Sequence, residues 1–134
     1  GKLQIPPPIF TDMQGEFVDI DLKAKTVTAK FPVQERYQNP MGYMQGGMIA
    51  TAIDNAIGPL SFMVAAPNVT KSLTVEYKRP ISANIKEITV VARFEGQEGR
   101  ELSFTAEVLR EDGSVLATAV SLNVLMREQG KGSG

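Results

Sequence analysis

The hydrophobic positions of the chain follow two different periods. Apolar and polar residues alternate, as in strands with one buried face, over residues 16–22, 26–31, 72–78, 87–95, 101–109 and 115–126. Residues 46–57 instead carry apolar pairs three and four positions apart, which indicates a helix. The order of strand, strand, helix and four strands predicts an α+β fold, with one long antiparallel sheet wrapped around a central buried helix.

Turn-forming residues separate these segments. Lys23–Lys25 divides the first two strands into a hairpin, and Asp112 with Gly113 marks another hairpin turn. Gly58 and Pro59 predict that the helix ends at residue 57, because glycine favours a helix terminus and proline cannot continue the hydrogen bonding. Three consecutive prolines predict an extended N-terminal arm over residues 1–15, and residues 127–134 are predicted to form a flexible tail.

Composition narrows the class of protein. The 134 residues predict a single domain, and the hydrophobic fraction of 43% and charged fraction of 22% are typical of a globular chain. A net charge of -1 gives no general attraction to nucleic acid or to a membrane surface. Neither a spanning helix nor a signal peptide is evident, so the prediction is a cytoplasmic protein that binds small molecules or other proteins.

Cysteine and histidine are both absent. Their absence excludes disulfides, thiolate nucleophiles, Ser-His-Asp catalysis and histidine-ligated zinc in this chain. We therefore predict no metal and no cofactor. Any acid–base chemistry near neutral pH falls to a carboxylate.

One carboxylate, Asp54, lies within the predicted apolar helix. Burial of a lone carboxylate costs several kcal/mol unless the group is paired or its pKa rises. The helix supplies no lysine or arginine three or four residues away, so the partner of Asp54 is distant in sequence or is a substrate. A structural salt bridge is the alternative to a carboxylate that deprotonates water or attacks a carbonyl.

The start of the helix carries two glycines, Gly46 and Gly47. Backbone donors at a helix N-terminus have no partner within the helix, and the helix dipole adds positive charge there. Such donors could stabilise an oxyanion, although the glycines could equally serve close packing against the sheet.

The separation of these two features predicts a dimer. Gly47 and Asp54 lie about 10.5 Å apart along a helix axis, whereas a reacting carbon must lie about 3 Å from both groups. Two antiparallel helices across a twofold axis would bring Gly47 of one subunit opposite Asp54 of the other. A helix buried on every side, as the pattern predicts, favours the same homodimer.

Two segments resemble a known family. NPMGYMQGGMIATAIDNA (39–56) closely resembles the motif of hotdog-fold acyl-CoA thioesterases of the phenylacetyl-CoA thioesterase-like branch, in which Asn, a spacer and His-Gly-Gly precede a helical Asp. SLTVEYKRP (72–80) is similar to the family's strand that ends in an aromatic residue and Arg-Pro. The resemblance covers roughly residues 16–126. It implies a hotdog fold, hydrolysis of an aryl- or medium-chain acyl-CoA without a cofactor, and a homodimer that pairs into a homotetramer.

The resemblance also implies roles for individual residues. The amide of Gly47 polarises the thioester carbonyl, and Asp54 of the facing subunit activates water or attacks directly. Asn39 orients water or substrate. A strand hydroxyl often assists in this family, which places that role on Thr70 or, two residues along the same strand face, on Ser72; either could be an ordinary strand hydroxyl.

Three further positions complete the predicted site. Gly46 is predicted to contact the substrate. Arg79, together with Lys78 and Arg93, could bind CoA phosphates. The alternative is that these three cations are simply solvent-exposed residues at a strand edge. Gln45 stands where the family usually has histidine. Glutamine can donate and accept hydrogen bonds but cannot take a proton, so a catalytic role for Gln45 is limited to hydrogen bonding.

Other functions compete with the thioesterase interpretation. The missing histidine favours a noncatalytic protein that binds acyl-CoA or another acyl ligand on the same fold. A dehydratase or hydratase fits less well, because those sites generally pair an acid with histidine. A purely structural oligomer leaves Asp54 unexplained.

Overall fold

The alternating segments form one antiparallel sheet. In the computed structural model, which describes residues 6–126, the strands are β1 (Glu16–Asp21), β2 (Thr26–Pro32), β3 (Asn68–Tyr77), β4 (Glu87–Glu98), β5 (Glu101–Leu109) and β6 (Val115–Leu125). Two α-helices, α1 (Pro8–Asp12) and α2 (Gly46–Val64), and a 3-10 turn at Glu35–Tyr37 complete the fold. The strand order is β1-β2-β4-β5-β6-β3, with β1 and β3 at the edges. The predicted α+β fold class is confirmed.

The core lies between α2 and one face of the sheet. Helix α2 packs chiefly against β4 and β2. Its buried side chains Ile53, Ile57 and Leu60 meet inward-facing residues such as Phe31 and Phe104, all with no exposed surface. Burial of each of these large side chains contributes about 1.5–3 kcal/mol relative to exposure.

The predicted end of the helix at residue 57 is wrong. Helix α2 continues through Gly58 and Pro59 to Val64, and Pro59, Leu60 and Ser61 are all buried. An internal proline costs about 3 kcal/mol. Burial of the last turn against the sheet offsets that cost, so tertiary packing outweighs the local signal.

The longer helix also corrects the prediction that no segment could span a membrane. Gly46–Val64 has the length and composition of a membrane-spanning helix. Half of it is buried inside the protein, where it is the central helix of the sheet.

Helix α2 is not buried on every side in the single chain, contrary to the prediction. Gly47 and Asp54 are exposed, and Thr51 and Gly58 are partly exposed. These four residues recur every three or four positions, so they share one face of the helix. The sheet covers only the opposite face, and this uncovered helix face is where the predicted site residues of α2 lie.

The predicted extended arm is wrong for residues 8–12, which form α1. Pro8 occupies the first turn of α1, where a backbone N–H would have no acceptor in the helix, so the N–H that proline lacks is not needed. Phe10 stacks on Phe17 with a ring-centroid distance of 4.4 Å and meets Phe31 edge-on at 5.4 Å. Burial of this aromatic cluster stabilises the helix. Residues 1–5 of the predicted arm and the predicted tail, residues 127–134, lie outside the described residues.

Candidate active site

The N-terminus of α2 presents backbone donors to open space. The carbonyl of Gln45 accepts hydrogen bonds from the amides of Met48 at 2.9 Å and Ile49 at 3.1 Å. Within residues 6–126 the amides of Gly46 and Gly47 have no protein acceptor, as expected for the first helical turn. A Cβ at Gly47 would have no neighbouring atom within 4 Å. These amides and the helix dipole form a site for developing negative charge.

Gln45 holds the loop that precedes this turn in place through hydrogen bonds. Its backbone amide donates to the carbonyl of Tyr37 at 2.8 Å, and its Nε2 donates to the carbonyl of Gln38 at 3.4 Å. The side chain makes no capping hydrogen bond to the helix. Gln45 therefore fixes the preceding loop, a role that needs no proton transfer.

Asn39 organises the loop beside the helix start. Its Oδ1 accepts hydrogen bonds from the amides of Met41 at 2.9 Å and Tyr43 at 3.1 Å. Gly42 adopts φ +84°, a left-handed conformation that glycine tolerates, within this turn. Because the oxygen of Asn39 is engaged, the side-chain N–H groups are what this residue can offer to a ligand.

Tyr77 lies at the site, although the sequence predicts no role for it. Its hydroxyl donates to the carbonyl of Gly46 at 2.8 Å. A Cβ at Gly46 would lie 3.1 Å from the Tyr77 ring, so glycine permits this close contact. Tyr77 therefore fastens the donor-bearing turn of α2 to β3. The available signal is its position: Tyr77 is an aromatic residue at the end of a strand that precedes Arg-Pro.

We expect Tyr77→Phe to lower the free energy of unfolding by about 1 kcal/mol, the net contribution of a typical hydrogen bond. Tyr43→Phe is the matched control, since no hydrogen bond of the Tyr43 hydroxyl is found among the described residues. Chemical denaturation measures both variants. Equal stability of Tyr77→Phe and the wild type would show that the hydroxyl does not hold the helix start.

Asp54 lies further along the uncovered helix face and has one hydrogen-bond partner. The hydroxyl of Thr70 donates to Asp54 Oδ1 at 3.3 Å. None of the ion pairs found in residues 6–126 involves Asp54, so the structural salt bridge has no support there. Partial burial raises the pKa of Asp54, and the Thr70 hydrogen bond opposes that rise with a smaller effect. The side chain of Asp54 reaches solvent, but its raised pKa makes it a candidate general base.

Ser72 is not on the same strand face as Thr70, contrary to the prediction. A bulge between these residues pairs Thr70 with Asn123 but Ser72 with Leu122. Asn123 is buried on the side of α2, and side chains of adjacent residues alternate between faces. Thr70 therefore faces the helix, and Ser72 faces away from Asp54.

Some of the predicted residues border one of two separate cavities in the single chain. A cavity of about 380 Å³ is lined by Asn39, Gly46, Tyr77, Lys78 and Arg79. A second cavity of about 310 Å³ is lined by Asp54 and Thr70. Gly47 shares the uncovered helix face with Asp54 but borders neither of these cavities.

Arg93 belongs to neither cavity. It follows the buried Ala92 on β4 and lies on the outer face of the sheet, away from α2. A role for Arg93 at the same site as Arg79 is therefore not supported.

The chain is similar in sequence to proteins that are named thioesterases. No protein-family model matches it. The chain is 33% identical over 81 residues to acyl-coenzyme A thioesterase THEM4 of Xenopus laevis, a match that covers 60% of this chain and 36% of that protein. It is 26% identical over 100 residues to acyl-coenzyme A thioesterase 13 of Homo sapiens, covering 72% and 69%. The chain thus spans well under half of the first relative's length.

Solved structures share the fold. The PaaI protein of the E. coli phenylacetic acid degradation operon superposes with a TM-score of 0.82 at 14% identity, covering 90% of this chain and 86% of that chain. A phenylacetic acid degradation-related protein of Ralstonia eutropha JMP134 gives a TM-score of 0.81 at 24% identity, covering 89% and 90%. This chain therefore has the hotdog fold of these structures and is similar in sequence to proteins named acyl-coenzyme A thioesterases.

Proposed function

We propose that the protein is an acyl-CoA thioesterase, which hydrolyses a CoA thioester to a free acid and CoA. The observation that carries the proposal is the alignment of two groups on the uncovered face of α2. The amides of Gly46 and Gly47, for which no acceptor is found in residues 6–126, lie at the start of the helix, and Gly47 shares the uncovered face with Asp54. Asp54, with its raised pKa, lies two turns later. The similarity to proteins named acyl-coenzyme A thioesterases supports the same activity.

A second copy of the chain would unite the two cavities. Strand β3 is an edge strand, bonded to β6 on one side, so its other edge can pair with β3 of a partner subunit. Thr70 and Tyr77 both face the helix, near opposite ends of β3. Antiparallel pairing about a twofold axis would place Thr70, with Asp54, opposite Tyr77 of the partner subunit and the helix start that it holds.

We therefore propose a homodimer with two shared sites, which pairs further into a homotetramer. In each site the donors come from one subunit and the acid from the other. The uncovered face of α2, with its exposed Gly47 and Asp54, would then line the cleft between subunits.

The chemistry follows from this arrangement. Asp54 takes a proton from water as the water oxygen attacks the thioester carbon, or attacks that carbon itself. The Gly47 amide stabilises the negative oxygen of the tetrahedral intermediate. The C–S bond then breaks. When Asp54 acts as the base, CoA leaves as a thiol after it receives the proton that Asp54 took from water. When Asp54 acts as the nucleophile, CoA leaves as a thiolate, and water then hydrolyses the mixed anhydride of Asp54 to give the free acid and restore the carboxylate. Thr70 orients Asp54 through its hydrogen bond.

The remaining predicted residues bind or orient. The side-chain N–H groups of Asn39, for which no acceptor is found in residues 6–126, can hold the substrate or water. Arg79 and Lys78 can bind CoA phosphates at the cavity beside the helix start. Gln45 maintains the loop before the helix by hydrogen bonding.

The pH dependence of turnover tests the role of Asp54. Only the carboxylate accepts a proton, so kcat falls as the pH drops through the raised pKa of Asp54. On the acidic side of the pH–rate profile, we expect kcat to fall at a pH above the ordinary pKa of a carboxyl group. Thr70→Val removes the hydrogen bond that lowers this pKa, so its acidic limb should shift to higher pH.

Steady-state rates across a pH series measure both limbs. Thr74→Val is the matched control, because Thr74 lies on the outer face of the same strand. A limb at the same pH in Thr70→Val and the wild type would contradict the assignment of that limb to Asp54.

Hydrolysis of a panel of aryl- and acyl-CoA thioesters, followed by release of free thiol, tests the activity itself. The alternative function is a noncatalytic acyl-CoA binding protein, which the substitution of Gln45 for histidine favours. Turnover above the uncatalysed rate supports the enzyme. Binding of the same thioesters without turnover would establish the binding protein instead.

A further inference from the structure

We propose that the cavity beside Asp54 is the pocket for the acyl group and that Ile9, on α1, sets the size of acyl group it accepts. This proposal rests on the proposed thioesterase function. Ile9, the residue that would determine specificity, lies in a helix where the sequence predicts an extended arm.

The lining of the cavity fits the acyl side of a thioester. Its apolar walls include Pro7, Ile9, Pro59 and Phe62, and Asp54 borders the same space. None of the described residues that line it is Lys or Arg. The cavity at the helix start contains Lys78 and Arg79 and so suits the phosphates of CoA. Charge therefore directs the apolar acyl group to the cavity beside Asp54.

Polar side chains in this cavity are already engaged with the protein. Asn123 donates to Asn68 Oδ1 at 2.8 Å, and Asn68 donates to the carbonyl of Ala66 at 3.0 Å. Asn55 donates to the carbonyl of Thr51 at 2.8 Å. An unsubstituted acyl group would not have to displace these hydrogen bonds, so the pocket favours apolar acyl groups.

Helix α1 is a fixed wall rather than a loose arm. Phe10 and Met13 anchor it in the core with 3% and 0% exposure. The guanidinium of Arg36 donates to the carbonyl of Asp12 at 2.9 Å and fastens the other end. Ile9 is 42% exposed and borders the cavity, so its side chain can limit the space without supporting the core.

The volume sets the class of acyl group. The cavity measures about 310 Å³. An apolar cavity of about 150 Å³ accommodates one benzene molecule. The pocket therefore has room for an acyl group larger than one benzene ring, such as an aromatic ring with a short linker or an alkyl chain of medium length. Ile9 lines this space, so the size of its side chain limits the room for the acyl group.

A substitution pair at Ile9 tests the proposal. Rates are measured with phenylacetyl-CoA and with straight-chain acyl-CoA substrates from butyryl-CoA to palmitoyl-CoA. Ile9→Ala should shift the preferred chain to greater length and Ile9→Trp to shorter length. Each should change the ratio of kcat/KM for dodecanoyl-CoA over butyryl-CoA by about tenfold, the scale for a change of one or a few methylene groups.

Ile20→Ala is the matched control. Ile20 is 48% exposed, on edge strand β1, and does not border the cavity. Its variant should keep the wild-type chain-length profile. Wild-type profiles in both Ile9 variants would overturn the assignment of Ile9.

Binding of octanoate, a possible product acid, separates this proposal from the proposed function. If the wild type hydrolyses no thioester, the thioesterase proposal fails, but calorimetry with octanoate still reports on the pocket. Weaker octanoate binding in Ile9→Trp than in Ile20→Ala would support the acyl pocket. Equal binding in these two variants, or no binding to the wild type, would overturn it.

Discussion

We expect Asp54→Asn to lower kcat for acyl-CoA hydrolysis by about 10²- to 10⁴-fold, the contribution of a positioned general base. Asparagine preserves the size of the side chain and can still meet the Thr70 hydroxyl, but it cannot take a proton from water. The affinity for a substrate or product should change much less than kcat. Thiol-release kinetics and calorimetry measure the two quantities separately.

The same variant should remain folded. The folded-state pKa of Asp54 is raised, so the folded protein retains this proton more strongly than the unfolded chain. Stability from Asp54 is therefore present at low pH and is lost as the pH rises through the raised pKa. Asparagine carries no charge at neutral pH, so Asp54→Asn should be at least as stable there as the wild type.

Asp19→Asn is the matched control, because Asp19 is an exposed acid on β1. It should retain the wild-type rate. Full activity of Asp54→Asn would exclude Asp54 as the base or nucleophile. Loss of activity together with unfolding at neutral pH would contradict the stability argument.

The second large effect is expected at Gly47. Gly47→Pro removes one backbone donor, and loss of a single oxyanion donor typically lowers kcat by about 10²- to 10³-fold. Proline is tolerated in the first turn of a helix, and open space surrounds the Gly47 Cβ position. Steady-state kinetics, with circular dichroism as the test of folding, measure this effect.

Gly47→Ala is the matched control because it adds a methyl group and keeps the amide. Its rate should stay well above that of Gly47→Pro, and its helix should be stabilised by up to about 1 kcal/mol. Equal losses in the two variants would show that the methyl group, rather than the missing donor, impairs the site.

The spacing of hydrophobic residues along the sequence is sufficient to predict the sheet and the existence of the central helix. Segments such as residues 101–109 combine strict alternation with clear turn residues on both sides, so local and tertiary preferences agree. The strands β4, β5 and β6 follow one another in the chain and pair as neighbours, as the turns between them predict.

Local rules failed where tertiary burial decided the outcome. Pro59 marks the end of a helix in isolation, yet burial of Leu60 carries α2 onward. The prolines before Phe10 suggest an extended arm, yet the aromatic cluster stabilises α1. In both cases residues distant in sequence provide the stabilising contact.

The candidate site was predictable in type but not in arrangement. The absence of a cation near Asp54 in the helix and the pair of glycines at its start identified the two chemical groups. The bulge that turns Ser72 away and the contact of Tyr77 with Gly46 depend on strand pairing, which the alternation of residues does not specify.

A shared site between subunits is the central claim, and mixed dimers of Asp54→Asn and Gly47→Pro test it most directly. The two variants are coexpressed with different affinity tags, and the species that carries both tags is purified as a dimer, so that a tetramer of two unmixed dimers is not counted. Each mixed dimer has one site with both changes and one site with neither. We predict about half of the wild-type activity per dimer from two variants that are each at least about 10²-fold slower than the wild type on their own. Mixed dimers as inactive as either parent would contradict the shared site.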